Sequence, residues 1–299
     1  MAGVFGAFGL AVRSELALPE LPALAAETAA DVEVGFGDAG PADPGLRWIG
    51  GVFQAKGDDC LYRVDDVGRF RIRRGRQILI EPGAAADAAS LRLHLLGGAF
   101  AALMHQRGLL PLHASTVRIG ERVVALAGVG GAGKSSLAAA LLGAGHRLLG
   151  DDICAVASGA DGRPITWNGI PRLKLRADAA ARTQDPALER TPDIAGKRHL
   201  IAPADDRRGA TALNAVYVLQ RTPGPCDLRL QPLAGDAALR AILSNIYRPS
   251  LGRAVDGGRA QFQIAGQLAA GARVSRLRFW PDAERLGELV AAVEADAVG

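Results

Sequence analysis

The pattern of hydrophobic and polar positions divides the chain into two parts with different periods. In the first part the two kinds of residue alternate in short runs, which is typical of half-buried strands. Turn sequences such as DDVG at residues 65–68 and RG at 74–75 separate these runs. The predicted strands cover residues 9–16, 31–36, 61–64, 69–72 and 77–80. Residues 1–84 are therefore predicted to form a small β-rich N-terminal lobe.

Residues 85–299 show hydrophobic patterns of helices and buried strands in alternation. A helix is predicted over residues 87–107, with Gly108 as its C-terminal stop and Pro111 leading into the next strand. Further along, the pattern predicts strands at residues 212–220 and 274–280 and helices at residues 236–247, 261–270 and 283–295. Asp236 is the expected N-cap of the helix at 236–247. This second domain is therefore predicted to be α/β with a mixed central sheet.

Composition narrows the class of protein. The chain has 299 residues, of which 49% are hydrophobic and 22% charged, so it is long enough to bury a sizeable core. The net charge of +4 comes from scattered residues, which does not indicate nucleic-acid binding. No stretch reaches the roughly 18 apolar residues needed to span a bilayer. Three isolated cysteines, Cys60, Cys154 and Cys226, predict free thiols in a reducing cytoplasm. We expect a cytoplasmic protein without a membrane or nucleic-acid partner, and leave a homo-oligomer open.

Residues 128–135, GVGGAGKS, fit the phosphate-loop (Walker A) pattern G-x-x-x-x-G-K-[ST]. A predicted strand at 123–127 precedes the loop and a predicted helix at 135–142 follows it, so bound phosphates would lie at a helix N-terminus. Lys134 is expected to reach the β- and γ-phosphates of ATP, and the Ser135 hydroxyl to bind Mg²⁺. The residues expected to bind nucleotide are Gly128, Gly130, Gly131, Ala132, Gly133, Lys134, Ser135 and Ser136.

Two adjacent carboxylates follow the loop. Asp151 and Asp152 lie 17 and 18 positions after Lys134, at the end of a short predicted strand. One carboxylate can bind the metal and the other can accept a proton from a substrate hydroxyl. The spacing alone leaves the two roles exchangeable, because neighbouring strand residues point in opposite directions. The alternative is a solvated turn, in which aspartate is common.

His113 is expected at the phosphate site. The sequence Gly120-Glu121 between two apolar runs predicts a two-residue hairpin turn with glycine first. That turn pairs Ile119 with Arg122, Val117 with Val124 and Ser115 with Leu126 across the hairpin. The same register sets His113 opposite Gly128, the first residue of the loop. A purely structural histidine is the alternative.

His113, the loop at 128–136, the segment GHRLL at 145–149 and the Asp pair together resemble the bacterial HPr kinase/phosphorylase family. That family shares its nucleotide-binding core with ATP-dependent phosphoenolpyruvate carboxykinase. The resemblance implies a P-loop kinase core of this type, with a mixed central sheet, in residues 85–299. It implies that Asp151 is the base, that Asp152 binds Mg²⁺ together with Ser135, and that His113 positions Asp151 or the phosphoryl group. Asp151, His113 and Lys134 are thus the expected catalytic residues.

One segment departs from the family pattern. Residues 167–175, WNGIPRLKL, carry Arg172 and Lys174 and no acid, where the family's signature segment supplies an acidic residue near the metal. We therefore expect a kinase that works only in the forward direction, without phosphorylase activity. We also expect Arg172 to face an anionic part of the acceptor.

The acceptor is suggested by short segments only. Residues 8–10, 14–22, 171–175 and 196–198 are similar to HPr-kinase homologues found with lasso-peptide biosynthesis. Those enzymes phosphorylate the C-terminal serine of a precursor peptide, which implies a serine kinase that uses ATP and Mg²⁺. The residues expected to bind the acceptor are Lys197, Arg198, Arg172 and Arg248. The alternatives are an HPr-kinase-like kinase of another protein or a small molecule, and a nucleotide-binding regulatory P-loop protein.

Overall fold

The computed structural model describes residues 2–183, 188–194, 197–203, 205, 207, 209–282 and 284–298, without the side chains of residues 178, 182, 190–194 and 197. The strands are β1 (Gly3–Ala7), β2 (Leu10–Ser14), β3 (Val32–Phe36), β4 (Phe53–Lys56), β5 (Asp59–Val64), β6 (Gly68–Arg73), β7 (Gln77–Pro82), β8 (Leu110–Leu112), β9 (Ala114–Ile119), β10 (Arg122–Ala127), β11 (Arg147–Gly150), β12 (Cys154–Ser158), β13 (Pro164–Thr166), β14 (Arg172–Leu175), β15 (Glu189–Ile194), β16 (Lys197–Ile201), β17 (Thr211–Ala212), β18 (Ala215–Arg221), β19 (Arg229–Leu233) and β20 (Arg273–Phe279). The α-helices are α1 (Ala88–His94), α2 (Phe100–Gln106), α3 (Lys134–Gly143), α4 (Ala177–Arg182), α5 (Gly235–Leu243), α6 (Pro249–Asp256), α7 (Arg259–Gly271) and α8 (Leu286–Val298), and a π-helical turn (Leu95–Ala99) joins α1 to α2.

The chain forms two compact units. The first comprises Met1–Pro111 and Tyr247–Gln263, and the second Leu112–Ile246 and Ile264–Gly299. This division differs from the boundary predicted near residue 84, because the helical segment after that boundary packs on the N-terminal strands. The Gln106 side chain donates to the Ile72 carbonyl at 3.0 Å and accepts from the Gly75 amide at 2.9 Å.

The first unit is built on a seven-stranded sheet with the order β1-β2-β3-β7-β6-β5-β4. Apolar residues of β5, β6 and β7 are buried on one face, where Tyr62 also hydrogen-bonds His94 Nδ1 at 2.7 Å. The π-helical turn approaches this face closely, since a Cβ on Gly98 would lie 2.5 Å from the Tyr62 ring. On the sheet, Arg69 pairs with Glu81 at 2.5 Å and Arg71 pairs with Asp59. The arginines of β6 thus pair with acids of the strands beside it.

The second unit contains a six-stranded sheet with the order β11-β9-β10-β18-β20-β19. β10, β18 and β20 are parallel, whereas β9 runs antiparallel to β10 and β19 antiparallel to β20. Apolar side chains of β9 and β10 share a buried core with α3 and α8. The expected α/β class with a mixed sheet is confirmed, while its assignment to the HPr kinase and carboxykinase type stays a prediction.

Local expectations meet the structure with some corrections. Asp87 caps the predicted helix at 87–107 by accepting from the Ser90 amide at 2.6 Å. Asp236 as N-cap is wrong: α5 begins one residue earlier, with Ala234 at the N-cap, and Asp236 lies in the first turn. The strand predicted at 212–220 is interrupted before β18, because the Asn214 side chain turns to accept from the Val123 amide at 2.8 Å.

The longest described helices have 13 residues. Within the described ranges, no helix has the length and apolar character required to cross a membrane.

Candidate functional site

The β9–β10 hairpin sets the site's geometry. Its observed register pairs Ile119 with Arg122, Val117 with Val124 and Ser115 with Leu126, which confirms the predicted pairing. Gly120 has a φ of +56°, as a two-residue turn with glycine first requires. The ladder ends at the pair Ala114 and Ala127, so His113 immediately precedes β9 and Gly128, the first residue of the loop, immediately follows β10.

The loop joins β10 to α3 through three glycines with positive φ. Gly128 has a φ of +147°, Gly131 of +81° and Gly133 of +101°. A Cβ on Gly128 would also lie 3.0 Å from the Leu219 carbonyl oxygen. Residues with a side chain rarely adopt these angles, so the glycines let the loop fold over the N-terminus of α3. Such a turn presents backbone N–H groups to an anion.

Lys134 lies across its own loop. Its Nζ donates to the carbonyl oxygens of Gly128 at 2.7 Å and Val129 at 3.2 Å, and the residue is only 6% exposed. The ammonium group is therefore already at the loop where phosphates would bind. Among the other predicted nucleotide-binding residues, Ala132 is buried, Ser136 is half-buried in the first turn of α3, and Gly130 is exposed.

Asp151 is buried and connects three elements. Its Oδ1 accepts from Ser115 Oγ at 2.6 Å and from Ser135 Oγ at 3.1 Å. Its Oδ2 accepts from the Lys174 amide on β14 at 3.1 Å. The Asp151 carboxylate thus lies directly beside the predicted Mg²⁺ ligand of the loop, Ser135.

Asp152 has different surroundings. It is a non-glycine residue with a φ of +79°, in the left-handed region that residues with a side chain seldom adopt. Its Oδ2 accepts from Lys174 Nζ at 2.5 Å, and its Oδ1 lies 3.6 Å from His113 Nδ1. The Asp152 side chain is 25% exposed, so it can be reached by a substrate.

His113 contacts the Asp pair through Asp152. Its Nδ1 lies 3.1 Å from the Asp152 carbonyl oxygen. A carbonyl only accepts, so in the neutral ring Nδ1 carries the proton and Nε2 is an acceptor. Burial and the positive charge of Lys134 lower the pKa of His113, and the Asp152 carboxylate partly offsets this. The imidazole is therefore neutral at physiological pH.

The predicted acceptor-binding residues do not form one cluster among the described residues. Arg172 lies on β14 and is 2% exposed, so its burial does not favour the predicted contact with an acceptor. Arg198 is exposed on the neighbouring strand, β16. Lys197 begins β16, but its side chain lies outside the described residues, as does Gly196. Arg248 belongs to the first unit, where its guanidinium lies 5.2 Å from the centre of the Phe53 ring.

Three contacts at the site were not predicted from the sequence. Ser115 was expected only as a paired strand residue, and Lys174 only as part of a basic segment. Arg221, the last residue of β18, donates from Nη1 to the Gly131 carbonyl at 2.9 Å and brings another cation to the loop. The sequence did carry one signal for Arg221, because it is a polar residue at the end of a buried strand. Ligands bind at the edge of α/β sheets where the parallel strands end.

The oxygen atoms of the site fit Mg²⁺. No group of three histidine, cysteine, aspartate or glutamate residues in the described part of the chain could hold a metal ion. Mg²⁺ needs no such cage, because it is usually bound by one or two protein oxygens together with phosphates and water. Ser135 Oγ and the Asp151 carboxylate would supply those oxygens.

Comparison with known proteins finds a weak structural similarity and no sequence match. No family model matches the sequence, and no curated protein matches it. Among solved structures, the chain is similar to the Hpr(Ser) kinase/phosphatase from Coxiella burnetii, at 13% identity over 63% of this chain and 96% of that one, with a TM-score of 0.34. A likeness of this size establishes neither the family nor an activity.

Proposed function

We propose that this protein is a kinase that uses ATP and Mg²⁺ to phosphorylate a hydroxyl group, and that this hydroxyl belongs to a serine. The observation that carries the proposal is the split environment of the Asp pair. Asp151 bonds the loop serine, while Asp152 lies beside His113 and Lys174 at the accessible side. Phosphoryl transfer needs these two kinds of carboxylate next to a phosphate-binding loop.

The contacts favour an exchange of the two roles implied by the family resemblance. Asp151 is the better Mg²⁺ ligand, because it shares a hydrogen bond with Ser135. Asp152 is the better base, because it is more exposed and can take the proton of an acceptor hydroxyl as the oxygen attacks the γ-phosphorus. His113 orients Asp152 through its Nδ1–H. Bound Mg²⁺ would neutralise charge on the phosphates, and Lys134 would do the same from the loop.

We propose a peptide or protein acceptor, with the C-terminal serine of a lasso precursor as first candidate. The short sequence segments named above and the exposed Arg198 support this choice. A kinase of another protein or of a small molecule is the alternative. A regulator that only binds nucleotide is less favoured, since it has no need of a second carboxylate at the accessible side.

Intact mass spectrometry tests the proposal. The protein is incubated with ATP, Mg²⁺ and a synthetic peptide that ends in serine, and the peptide should gain one phosphate. A peptide of the same sequence that ends in alanine is the control, and the Asp152→Asn variant should transfer phosphate about 10³-fold more slowly. Nucleotide hydrolysis without phosphate on any peptide, protein or metabolite would contradict the proposal.

We further propose that the reaction runs only forward. A phosphorylase needs inorganic phosphate to be bound and activated as the attacking group, and residues 167–175 bring no acid to hold a second metal ion for it. Phosphorylated product incubated with excess inorganic phosphate should release no pyrophosphate. Rapid pyrophosphate formation would contradict this part of the proposal.

A further inference from the structure

Lys174 has a defined place at the site. On β14, Leu173 and Leu175 are buried in the core, and Lys174 between them lies on the opposite face, toward the Asp pair. Its backbone N–H donates to Asp151, and its ammonium group donates to Asp152. The Lys174 side chain is only 14% exposed, so this is an ion pair largely removed from solvent.

We infer that Lys174 is a positioning residue for phosphoryl transfer: its ammonium holds Oδ2 of Asp152 so that Oδ1 is the oxygen that accepts the proton. This inference rests on the proposed kinase function. The geometry that carries it is the 2.5 Å contact of Nζ with Oδ2, which leaves Oδ1 on the side of His113. A carboxylate held at one oxygen loses rotation about its terminal bond, so the other oxygen keeps one direction toward the acceptor.

The charges on this pair change during the transfer. The acceptor O–H bond breaks and its proton goes to Oδ1 of Asp152, the acceptor oxygen forms a bond to the γ-phosphorus, and the bond from that phosphorus to ADP breaks. Asp152 is then neutral, and the Lys174 ammonium is no longer balanced by it. The ammonium is left close to the newly formed phosphate ester, where a positive charge is favourable.

Lys174 has two alternative roles, acceptor binding and a purely structural ion pair, and each predicts different properties. An acceptor-binding lysine would keep its ammonium exposed, whereas here the ammonium is bound to Asp152. A merely structural ion pair would contribute to stability, and its loss would lower the melting temperature without lowering the kcat of the folded protein. The backbone N–H of residue 174 remains in any non-proline variant, so substitution removes the ammonium and leaves the bond to Asp151.

A double-mutant cycle separates these roles. We expect Lys174→Met to lower kcat on the order of 10²-fold, the usual effect of a misplaced reacting group, with little change in the ATP dissociation constant. Lys174→Arg should restore part of the loss. In the Asp152→Asn background, Lys174→Met should lower the residual rate no further, because Lys174 acts through Asp152. Lys56→Met, which removes an exposed lysine of β4, is the matched control and should keep the wild-type rate.

Chemical rescue adds a readout that a structural role would not move. Ethylammonium ions should raise the rate of Lys174→Ala in a concentration-dependent way and leave the wild type unchanged. A wild-type rate in Lys174→Met, or an equal loss in both Asp152 backgrounds, would overturn this inference alone. Absence of transfer by the wild-type protein would overturn the proposed function, and this inference with it.

Discussion

Two groups of charged residues, one in each unit, have different surroundings. In the first unit, Arg71 on β6 pairs with Asp59 on the strand beside it, and the aspartate is 39% exposed. In the second unit, Lys134 and Asp151 are almost completely buried and lie among backbone and hydroxyl groups of several elements. Exposed pairs contribute little to stability, at about 0–1 kcal/mol, whereas burial of a charge is costly and needs several partners.

Buried charges indicate a functional region better than charges paired across a sheet do. Charges that face each other across adjacent strands need no role beyond solubility and register. Charges that stay buried although their desolvation opposes folding are typical of sites where they act on a ligand. The comparison can be tested by matched substitutions in the two units, because only those in the second unit should change activity.

The largest effect is expected from the proposed base. Asp152→Asn should lower the transfer rate about 10³-fold, within the range for loss of a general base, with ATP binding retained. Asparagine tolerates a positive φ as aspartate does, so the fold should persist. The rate is measured as phosphate gained by the acceptor per unit time. Asp59→Asn in the first unit is the control, and an equally large loss of rate in that variant would contradict the assignment of activity to the second unit.

The next largest effect is expected at the loop. Lys134→Ala removes a cation from the phosphates and should lower transfer on the order of 10²-fold. It should also weaken ATP binding, which Asp152→Asn should not. Isothermal titration with a non-hydrolysable ATP analogue measures this difference, and circular dichroism checks that both variants are folded. Wild-type turnover in Lys134→Ala would mean that the loop has no catalytic part.

A smaller effect is expected from loss of the Ser115 hydroxyl, which donates a hydrogen bond to the proposed metal ligand Asp151. Ser115→Ala removes a 2.6 Å hydrogen bond to Asp151 and should raise the Mg²⁺ concentration for half-maximal rate about 10-fold. Ser14→Ala in the first unit removes another buried hydroxyl, which donates to the Leu16 carbonyl at 2.7 Å. The two variants should lose similar stability, and only Ser115→Ala should change the Mg²⁺ requirement. An unchanged requirement would count against Asp151 as metal ligand.

The smallest effect concerns the protonation of His113. Because burial lowers its pKa below 6.5 in the folded state, the unfolded chain binds more protons in this range. The free energy of unfolding should therefore fall as pH drops below about 6.5, and His113→Gln should remove that part of the dependence. NMR titration should also show a higher pKa of His113 in Lys134→Ala and a lower one in Asp152→Asn. A pKa above 6.5 in the wild type would contradict the neutral imidazole.

How far the sequence predicted the site depends on the range of each contact. The loop, its flanking strand and helix, and the hairpin register are local, so turn chemistry and periodicity were sufficient for them. The contact between Ser115 and Asp151 depends on β11 pairing with β9, with a register shift between Leu148 and Gly150. No local pattern encodes such a shift, and it decides which aspartate faces the loop.

The contacts of Lys174 could not be predicted from the sequence for a related reason. The spacing showed a basic segment where the family pattern has an acid. It did not show that this segment forms the strand β14, which directs the Lys174 side chain toward the Asp pair. β14 is held there by β16, which lies more than twenty positions further along the chain. The predicted helix at 87–107 was found, yet its attachment to the N-terminal strands depends on side-chain contacts such as those of Gln106.

The left-handed backbone at Asp152 has a consequence for laboratory evolution of this protein. A residue with a Cβ is disfavoured by about 1 kcal/mol or more at such a φ, and glycine is not. Asp152→Gly would relieve this conformation and at the same time remove the carboxylate. The same change would leave the Lys174 ammonium, whose side chain is only 14% exposed, without its ion-pair partner, which costs more than the backbone gains. Selection for heat resistance alone would therefore retain the aspartate, and with it the activity.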